Sequence, residues 1–259
     1  MQLKVSAVRG GANRLELCGN LGLGGGTTPS LGLLTAVQKA VGDIPIMVGS
    51  VLQAFKFRSD CVQAMVRPRT GDFLYTDEEI DVMIEDVKIF KNHGVQGVVF
   101  GVLTADGRVD EEKTKRLVQA SLPLERHLTC PETLKKAGPG VTRILTSGQG
   151  SSVPVSIETL QSLFQMTQAM SKEGLQTPTI MPGSGINAKT IGTVLDALLP
   201  LGVSEVHMSG GSWVEGKMAF RREGMGMGVG GSGDWSVWLT SEIAVREVRD
   251  KLDAHNHEE

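Results

Sequence analysis

The chain has 259 residues, of which 40% are hydrophobic and 21% are charged, enough to bury one large core in a single globular domain, the usual size of an α/β barrel. A net charge of -3, without any run of Lys or Arg longer than two residues, argues against a nucleic-acid partner and against an anionic membrane surface. The three cysteines are widely spaced, no apolar run is long enough to span a membrane, and the first residues do not resemble a signal peptide, so we expect a cytoplasmic protein.

Short apolar runs alternate with segments of helical spacing along the chain. The apolar runs predict strands at 15–18, 44–48, 95–103, 141–145, 178–181 and 205–208. The segments with helical spacing predict helices at 31–41, 77–92, 110–119, 157–172, 189–199 and 240–252. In residues 98–100 the apolar side chains follow one another without alternation, which is typical of a parallel strand buried on both faces. This order of strands and helices predicts an α/β fold.

The first predicted strand leads into a glycine-rich stretch, RLELCGNLGLGGGTTPS, at residues 14–30. Glycine allows the main chain to turn sharply and to approach a ligand closely. The spacing does not match GxGxxG and no Walker lysine follows, which disfavours a nucleotide cofactor. Glu16 lies inside the strand, where its carboxylate can serve as a general base or metal ligand, or can pair with an arginine such as Arg67. Both alternatives place Glu16 in the site.

Two further strand ends carry residues suited to catalysis. Arg67, in the segment VRPR, offers a rigid guanidinium fork to a carboxylate or phosphate, with a structural ion pair as the alternative. His207, in EVHMSG, ends the last predicted strand. A histidine at the ligand end of a barrel strand acts as an acid, base or metal ligand, or is simply hydrogen-bonded in the core. We predict Glu16, Arg67 and His207 as the catalytic residues.

Two loops, ILTSGQG at 144–150 and IMPGSGI at 180–186, place glycine and serine just after predicted strands. Main-chain N–H groups and helix N-termini at such positions can face an anion. In an α/β barrel, the loops after the later strands commonly bind phosphate. We therefore predict an anion site, although an ordinary turn remains the alternative for each loop taken alone. Its residues are Ser147, Gly148, Gly183, Ser184 and Gly185.

Six blocks of the sequence resemble the copper homeostasis protein CutC family. They are RLELCGNLGLGGGTTPS, MVRPRTGDFLY, GVVFGVLTADGRVD, RILTSG, IMPGSGI and EVHMSG, which occur between residues 14 and 210 in the order seen in the family. The resemblance implies a TIM-type (β/α)8 barrel, a cytoplasmic location, and an association with copper tolerance and Cu(I) binding. It implies no particular reaction.

The resemblance also places a cysteine at position 18. Thiolate is a soft ligand that suits Cu(I), so Cys18 is the predicted metal ligand and copper the predicted cofactor and partner. Cu(I) needs two or three soft ligands, and Met225 and Met227 are further candidates. The alternative for Cys18 is a small, buried apolar residue, and methionines more often fill gaps than bind metals.

The chain departs from the family pattern in three places. Residues 49–64 look like an insertion that interrupts the third barrel strand. After SLPLER, at 121–126, the fifth barrel strand is missing, with losses around residues 126–130. The start, MQLKVSAVRGGA, resembles a shortened first strand and helix. We therefore predict an incomplete barrel over residues 1–252, with 49–64 as a looped-out insertion and 253–259 as a disordered tail.

Three hypotheses for the function remain open. The first is a cytosolic protein that binds or traffics Cu(I). The second is an enzyme of unknown reaction that acts on a small anionic or phosphorylated metabolite at the carboxyl end of the barrel. The third is a non-functional splice or gene-model variant of compromised stability. Unpaired strand edges would also permit association with a second copy, so a homo-oligomer is left open.

Overall fold

The computed structural model of the protein describes residues 2–42, 45–47, 54–56, 62–129, 140–222, 224–226 and 228–256. Within these ranges the chain alternates between helices and mostly parallel strands. In chain order they are α1 (Gln2–Arg9), β1 (Leu15–Leu17), α2 (Leu31–Gly42), β2 (Pro45–Met47), β3 (Ala54–Lys56), β4 (Val62–Met65), α3 (Asp77–Asn92), β5 (Gly97–Phe100), α4 (Glu111–Ser121), β6 (Glu125–Thr129), β7 (Arg143–Thr146), α5 (Ile157–Lys172), β8 (Thr179–Pro182), α6 (Ile191–Leu198), β9 (Gly211–Glu215), β10 (Ser236–Thr240) and α7 (Glu242–Asn256).

Six strands form one parallel sheet in the order β1, β4, β5, β6, β7, β8. The segment after α6 adds a seventh member, because His207 pairs in parallel with Gly183 and its N–H donates to the carbonyl of Pro182 at 2.8 Å. Helices α2 to α6 lie in the connections between these members. This is the incomplete TIM-type (β/α)8 barrel that the sequence predicts.

Burial explains why these segments form a parallel sheet with helices outside it. All four residues of β5 are buried, because one face meets the barrel interior and the other meets the helices. Thr76 caps α3 through a reciprocal pair of hydrogen bonds with Glu79. The buried face of α3 consists of Ile80, Met83, Val87 and Phe90. Their three- and four-residue spacing predicts this helix and its core-facing side.

The place of the fifth barrel strand is filled by β6. This strand pairs in parallel with β5 on one side and with β7 on the other, so the predictions that the strand is missing and its neighbours unpaired are wrong. The segment lacks an apolar run because Glu125 and His127 face the barrel interior, whereas Leu128, 1% exposed, packs into the core. Residues 130–139, including Cys130, lie outside the described residues.

Part of the predicted insertion at 49–64 belongs to the barrel wall. Its last residues belong to β4, where Val62 and Ala64 are fully buried and the strand lies between β1 and β5. The prediction is wrong there, because these apolar side chains complete the wall. The predicted barrel strand at 44–48 is also corrected, since β2 pairs with β3 in a separate antiparallel hairpin. Residues 48–53 and 57–61, including Cys61, lie outside the described residues.

The barrel is open where the first strand of a complete barrel would lie. Within the described residues α1 precedes β1 without an earlier strand, which confirms the shortened first unit. A closed barrel pairs each strand on both sides. Among the described residues no backbone pairing joins β1 to segment 203–208, and we call this opening the gap. Helix α1 packs against β1 and α7 beside it.

A hairpin of β9 and β10 packs on the glycine-rich rim after β1. Trp213 and Trp238 make a T-shaped contact with ring centroids 5.5 Å apart. A Cβ atom at Gly22 would lie 2.6 Å from Cζ2 of Trp213. Glycine is therefore needed at this position for the hairpin to approach the rim.

Helix α7 continues into the predicted tail. It extends to Asn256, so the prediction of disorder is wrong for 253–256. Arg249 pairs with Asp253 one turn later, a spacing that stabilises helices. Residues 257–259 lie outside the described residues. Across the described part of the chain, no helix has the length and apolarity required to cross a bilayer.

Candidate functional site

The barrel interior contains a cavity of about 1150 Å³. It reaches the carboxyl ends of the strands, where the sequence predicts the site. The predicted residues that line it are Glu16, Cys18, Arg67, Ser147, Gly183, Ser184, Gly185 and His207. Among the described residues, the predicted Gly148 and the candidate Met225 lie outside this lining. The fold thus brings residues from β1, β4, β7, β8 and segment 203–208 into one cavity.

Glu16 and His207 form an ion-pair contact across the gap. Leu15 and Leu17 are buried on the helix side of β1, so the alternation of the strand directs Glu16 into the barrel. Nε2 of His207 lies 3.1 Å from Oε2 of Glu16, and the two side chains are 30% and 10% exposed. A carboxylate and an imidazole at this distance can share a proton and exchange it with a bound ligand.

The loop after β8 borders this pair. A Cβ atom at Gly183 would lie 2.5 Å from Cδ1 of Leu145 and 3.2 Å from Cβ of His207, so glycine is required for the imidazole to stand here. Ser184 has a φ of 85°, and its hydroxyl donates to the carbonyl of Ser151 at 3.0 Å. The N–H groups of Ser184 and Gly185 have no protein acceptor among the described residues and are suited to an anion.

The loop after β7 contributes less than the sequence predicts. The hydroxyl of Ser147 donates to the carbonyl of Gly150 at 2.7 Å, and the N–H of Gly148 donates to Oγ1 of Thr146 at 3.0 Å. A Cβ atom at Gly148 would lie 2.8 Å from Cβ of Ser156. Gly148 therefore serves the close packing of the loop on α5, while Ser147 remains at the cavity wall.

Arg67 organises the rim of the cavity. Its Nη1 donates to the carbonyls of Gly24 and Gly26, the latter at 3.0 Å, and its Nη2 donates to the carbonyl of Gly71 at 2.8 Å. The guanidinium also lies 4.7 Å from the ring centroid of Phe73. These contacts occupy both terminal nitrogens, so the structure assigns the planar fork to the loops rather than to an open position for a ligand.

Cys18 lies in the lining of the same cavity and is 7% exposed. Its Sγ would lie 3.0 Å from a Cβ atom at Gly26, so the thiol packs closely on the glycine rim. Among the described residues, no three His, Cys, Asp or Glu side chains are grouped to hold a metal ion. Met225 is 54% exposed and outside the cavity lining, and Met227 lies outside the described residues. Within the part of the chain that the structure describes, Cys18 and Met225 therefore do not meet at one copper centre.

Below the predicted site lie six further polar residues that no motif in the sequence indicated, and we call them the inner polar layer. They lie deeper in the barrel than Glu16 and His207, near the amino ends of the strands. They are Arg14, Gln63, Glu125, His127, Arg143 and Glu205. Arg14 and Glu205 each come two residues before a predicted site residue, so the two-residue period of a strand places them on the same face. That period is the signal that could have found them.

Glu205 is the centre of the inner polar layer. Nη1 of Arg14 donates to its Oε2 at 3.0 Å, and Nε of Arg143 donates to the same oxygen at 2.8 Å. Burial acts to raise the pKa of Glu205, but the hydrogen bonds from Arg143 and Arg14 outweigh it and hold the pKa below its ordinary value. Arg143 also donates to Oε2 of Glu125 at 2.9 Å. The charged side chains of the layer therefore form one network of ion pairs.

His127 is the neutral member of this layer. Nε2 of Gln63 lies 3.0 Å from both Oε2 of Glu125 and Nε2 of His127. Because Glu125 needs a donor, the Gln63 amide faces it with NH2, and Nε2 of His127 accepts the second hydrogen. Burial, with the positive charges of Arg143 and Arg14, lowers the pKa of His127 from 6.5 to about 4. The imidazole is thus uncharged at neutral pH.

The parallel strands, the outer helices and the polar cavity at the strand ends define an incomplete (β/α)8 barrel of the TIM type, with the cavity at the end where such barrels bind ligands. A family model described as the CutC family matches residues 1–212. The chain belongs to the CutC family, as its six sequence blocks predict.

Comparisons with individual proteins agree with this assignment. A family protein CutC of Vibrio vulnificus strain CMCP6 is 35% identical over 94% of this chain and 90% of its own length. Proteins of Mus musculus and Homo sapiens, both named copper homeostasis protein cutC homolog, are 35% identical over 94% of this chain and 83% of their own length. The crystal structure of a CutC protein from Streptococcus agalactiae superposes with a TM-score of 0.61 at 26% identity, covering 76% of this chain and 88% of that chain.

Proposed function

We propose that the carboxyl end of the barrel binds a small anionic or phosphorylated metabolite and that Glu16 and His207 exchange protons with it. The observation that supports this most is the 3.1 Å contact between the two side chains in the wall of a cavity of about 1150 Å³. General acid–base chemistry requires such a pair within reach of a ligand. The family role of copper homeostasis, named for the relatives, does not identify the ligand.

Each neighbouring residue has a part in this proposal. The N–H groups of Ser184 and Gly185 bind the anion, and Ser147 completes that wall. Gly183 leaves the space that His207 occupies. Arg67 holds the glycine rim in place and adds positive charge to the cavity, which favours an anionic ligand over a neutral one.

Titration of the full chain with inorganic phosphate by calorimetry tests the proposal. We expect His207→Gln to weaken binding at least fivefold, and the matched variant His93→Gln, at the exposed end of α3, to leave it unchanged. Repeating the titration in buffers of different ionisation enthalpy reports the protons taken up on binding. Uptake that disappears in Glu16→Gln supports proton exchange, whereas phosphate affinity that is equal in His207→Gln contradicts the site.

A second candidate function is Cu(I) binding or trafficking in the cytosol, with Cu(I) as cargo. It is supported by the buried thiol of Cys18 in the cavity lining and by the copper homeostasis names of the relatives. Competition between the protein and a Cu(I) chelator measures the affinity. We expect Cys18→Ser to weaken it at least tenfold and Cys61→Ser, as the matched cysteine control, to leave it unchanged. Equal affinities in all three proteins would remove Cys18 as the ligand.

A further inference from the structure

The cavity passes through the wall of the barrel at the gap. On the two segments that flank the gap, Glu16 and His207 face the interior, whereas Leu15 and Val206 occupy the alternate positions and face the helices. All four line the same cavity. A continuous sheet would separate the interior from the helix layer, so a cavity lined by both faces must run between the flanking strands.

Beyond the gap the cavity enters a space between the sheet and the helices, which we call the side chamber. Its walls come from α1, α6 and α7. They include Ala7, Leu195, Val245, Val248 and Leu252. Leu195 and Val248 are 3% and 2% exposed, so the chamber lies inside the molecule. Most of these walls are apolar, although Arg249 and His255 of α7 also line the cavity.

The volume also exceeds what a small anion requires. At about 1150 Å³ the cavity is larger than the roughly 300–1,000 Å³ of common ligand pockets. Water gains few hydrogen bonds in an apolar chamber, and such spaces bind apolar molecules. A ligand that fills both parts needs an anionic end near Ser184 and Gly185 and an apolar end beyond the gap.

We infer that the site takes an amphiphilic anion. Its apolar tail passes into the side chamber between β1, which carries Glu16, and segment 203–208, which carries His207. This inference rests on the proposed function and specifies its ligand class as a carboxylate or phosphate that carries a hydrocarbon chain. Proton exchange takes place at Glu16 and His207, whereas the side chamber contributes affinity and selects the ligand by the length of its hydrocarbon chain.

A chain-length series tests this inference in the full chain. Butanoate, hexanoate, octanoate and decanoate are titrated calorimetrically below their micelle concentrations. Because burial of one CH2 contributes about 0.8 kcal/mol, we expect affinity to rise about fourfold per added CH2 until the side chamber is full. Val248→Phe, which narrows the chamber, should abolish the increase, while Ile243→Phe, 69% exposed on the same helix, should preserve it.

A second variant covers the case in which Val248→Phe does not fold. Val248→Ala enlarges the side chamber, and we expect it to extend the increase to a longer chain, with circular dichroism as the check on folding. An equal affinity for all four carboxylates, in a protein that still binds butanoate, overturns the side chamber and leaves the proposed function standing.

The proposed function can also fail while the side chamber remains to be tested. If neither phosphate nor butanoate binds, the proposed function fails, and 1-octanol then tests the chamber without an anionic end. Binding of 1-octanol that is lost in Val248→Phe supports the side chamber, and no binding overturns it. A different result would also overturn the side chamber. If an unstructured peptide displaces octanoate and at the same time protects the β1 amides from hydrogen exchange, the gap binds an added strand instead.

Discussion

Arg14 and Glu205, 191 residues apart in sequence, meet at 3.0 Å across the gap in the barrel. Directly above them, Glu16 and His207 make the second contact between the same two segments, at 3.1 Å. Side chains therefore connect β1 with segment 203–208 where backbone pairing is absent among the described residues. The position of the proposed proton-exchanging pair depends on this connection.

A double-mutant cycle measures the connection. We expect Arg14→Gln and Glu205→Gln each to lower the free energy of unfolding by about 1–3 kcal/mol, because each leaves a partly buried charge without its partner. The pair should show a coupling of about 1 kcal/mol. The exposed pair of Arg116 and Asp81, at 2.7 Å, serves as control with a coupling below about 0.5 kcal/mol. Equal coupling in both cycles would contradict the role of the gap contact.

The stability of the fold should depend on pH through His127. Its pKa is about 4 in the folded protein against 6.5 ordinarily, so the unfolded chain binds the proton first as pH falls. The stabilisation is complete above pH 6.5, decreases as pH falls, and is lost near pH 4, a change of roughly 3 kcal/mol.

Denaturant unfolding at several pH values checks this dependence. We expect His127→Leu to remove most of the slope between pH 6.5 and pH 4.5. A loss at still lower pH should remain in the variant, because the depressed pKa of Glu205 makes its stabilisation disappear only as pH falls through its folded value. An unchanged slope between pH 6.5 and pH 4.5 in the variant would show that another group is responsible.

Gly183→Ala should damage the site through the position of His207. The added Cβ would lie 2.5 Å from Leu145 and 3.2 Å from His207, so the imidazole must shift. We expect at least a fivefold loss in phosphate affinity and a cost of about 1–3 kcal/mol in stability. Gly192→Ala, in open space on α6, should keep the affinity and raise stability by about 0.5–1 kcal/mol. Similar affinities in the two variants would exclude the proposed contact.

Arg67→Lys should loosen the glycine rim. A lysine cannot reach the carbonyls of Gly24, Gly26 and Gly71 together, because it lacks the planar fork. We expect faster amide exchange in residues 20–28 and a stability loss of about 1–3 kcal/mol. Arg108→Lys, an exposed substitution of the same type, should change neither. Wild-type exchange rates in the Arg67 variant would mean that the rim is held by other contacts.

The meeting of Glu16 and His207 could be predicted from sequence because both lie in parallel barrel strands on their inward face, close to the rim that the carboxyl ends of such strands share. A copper site could not be predicted in this way. A metal centre depends on the distance between side chains far apart in sequence, and around Cys18 the described residues do not supply a group of His, Cys, Asp or Glu.

Strand β6 could not be predicted from the pattern of apolar residues. A strand that carries Glu125 and His127 on its inward face has no apolar run. Its polar groups are satisfied by Arg143 on the neighbouring strand β7 and by Gln63 on β4. The same reasoning applies to Gln63 and Arg143, whereas Arg14 and Glu205 could have been found from the two-residue period of their strands. Residues whose burial is stabilised by distant partners look like surface residues until the partners are known.

A crystal structure of the chain grown with inorganic phosphate tests the central claim most directly. We predict that Glu16 and His207 remain in contact at the gap, and that phosphate lies beside them within hydrogen-bonding distance of the N–H groups of Ser184 and Gly185. An open sheet that holds Glu16 and His207 apart, or phosphate bound only away from this rim, would contradict it.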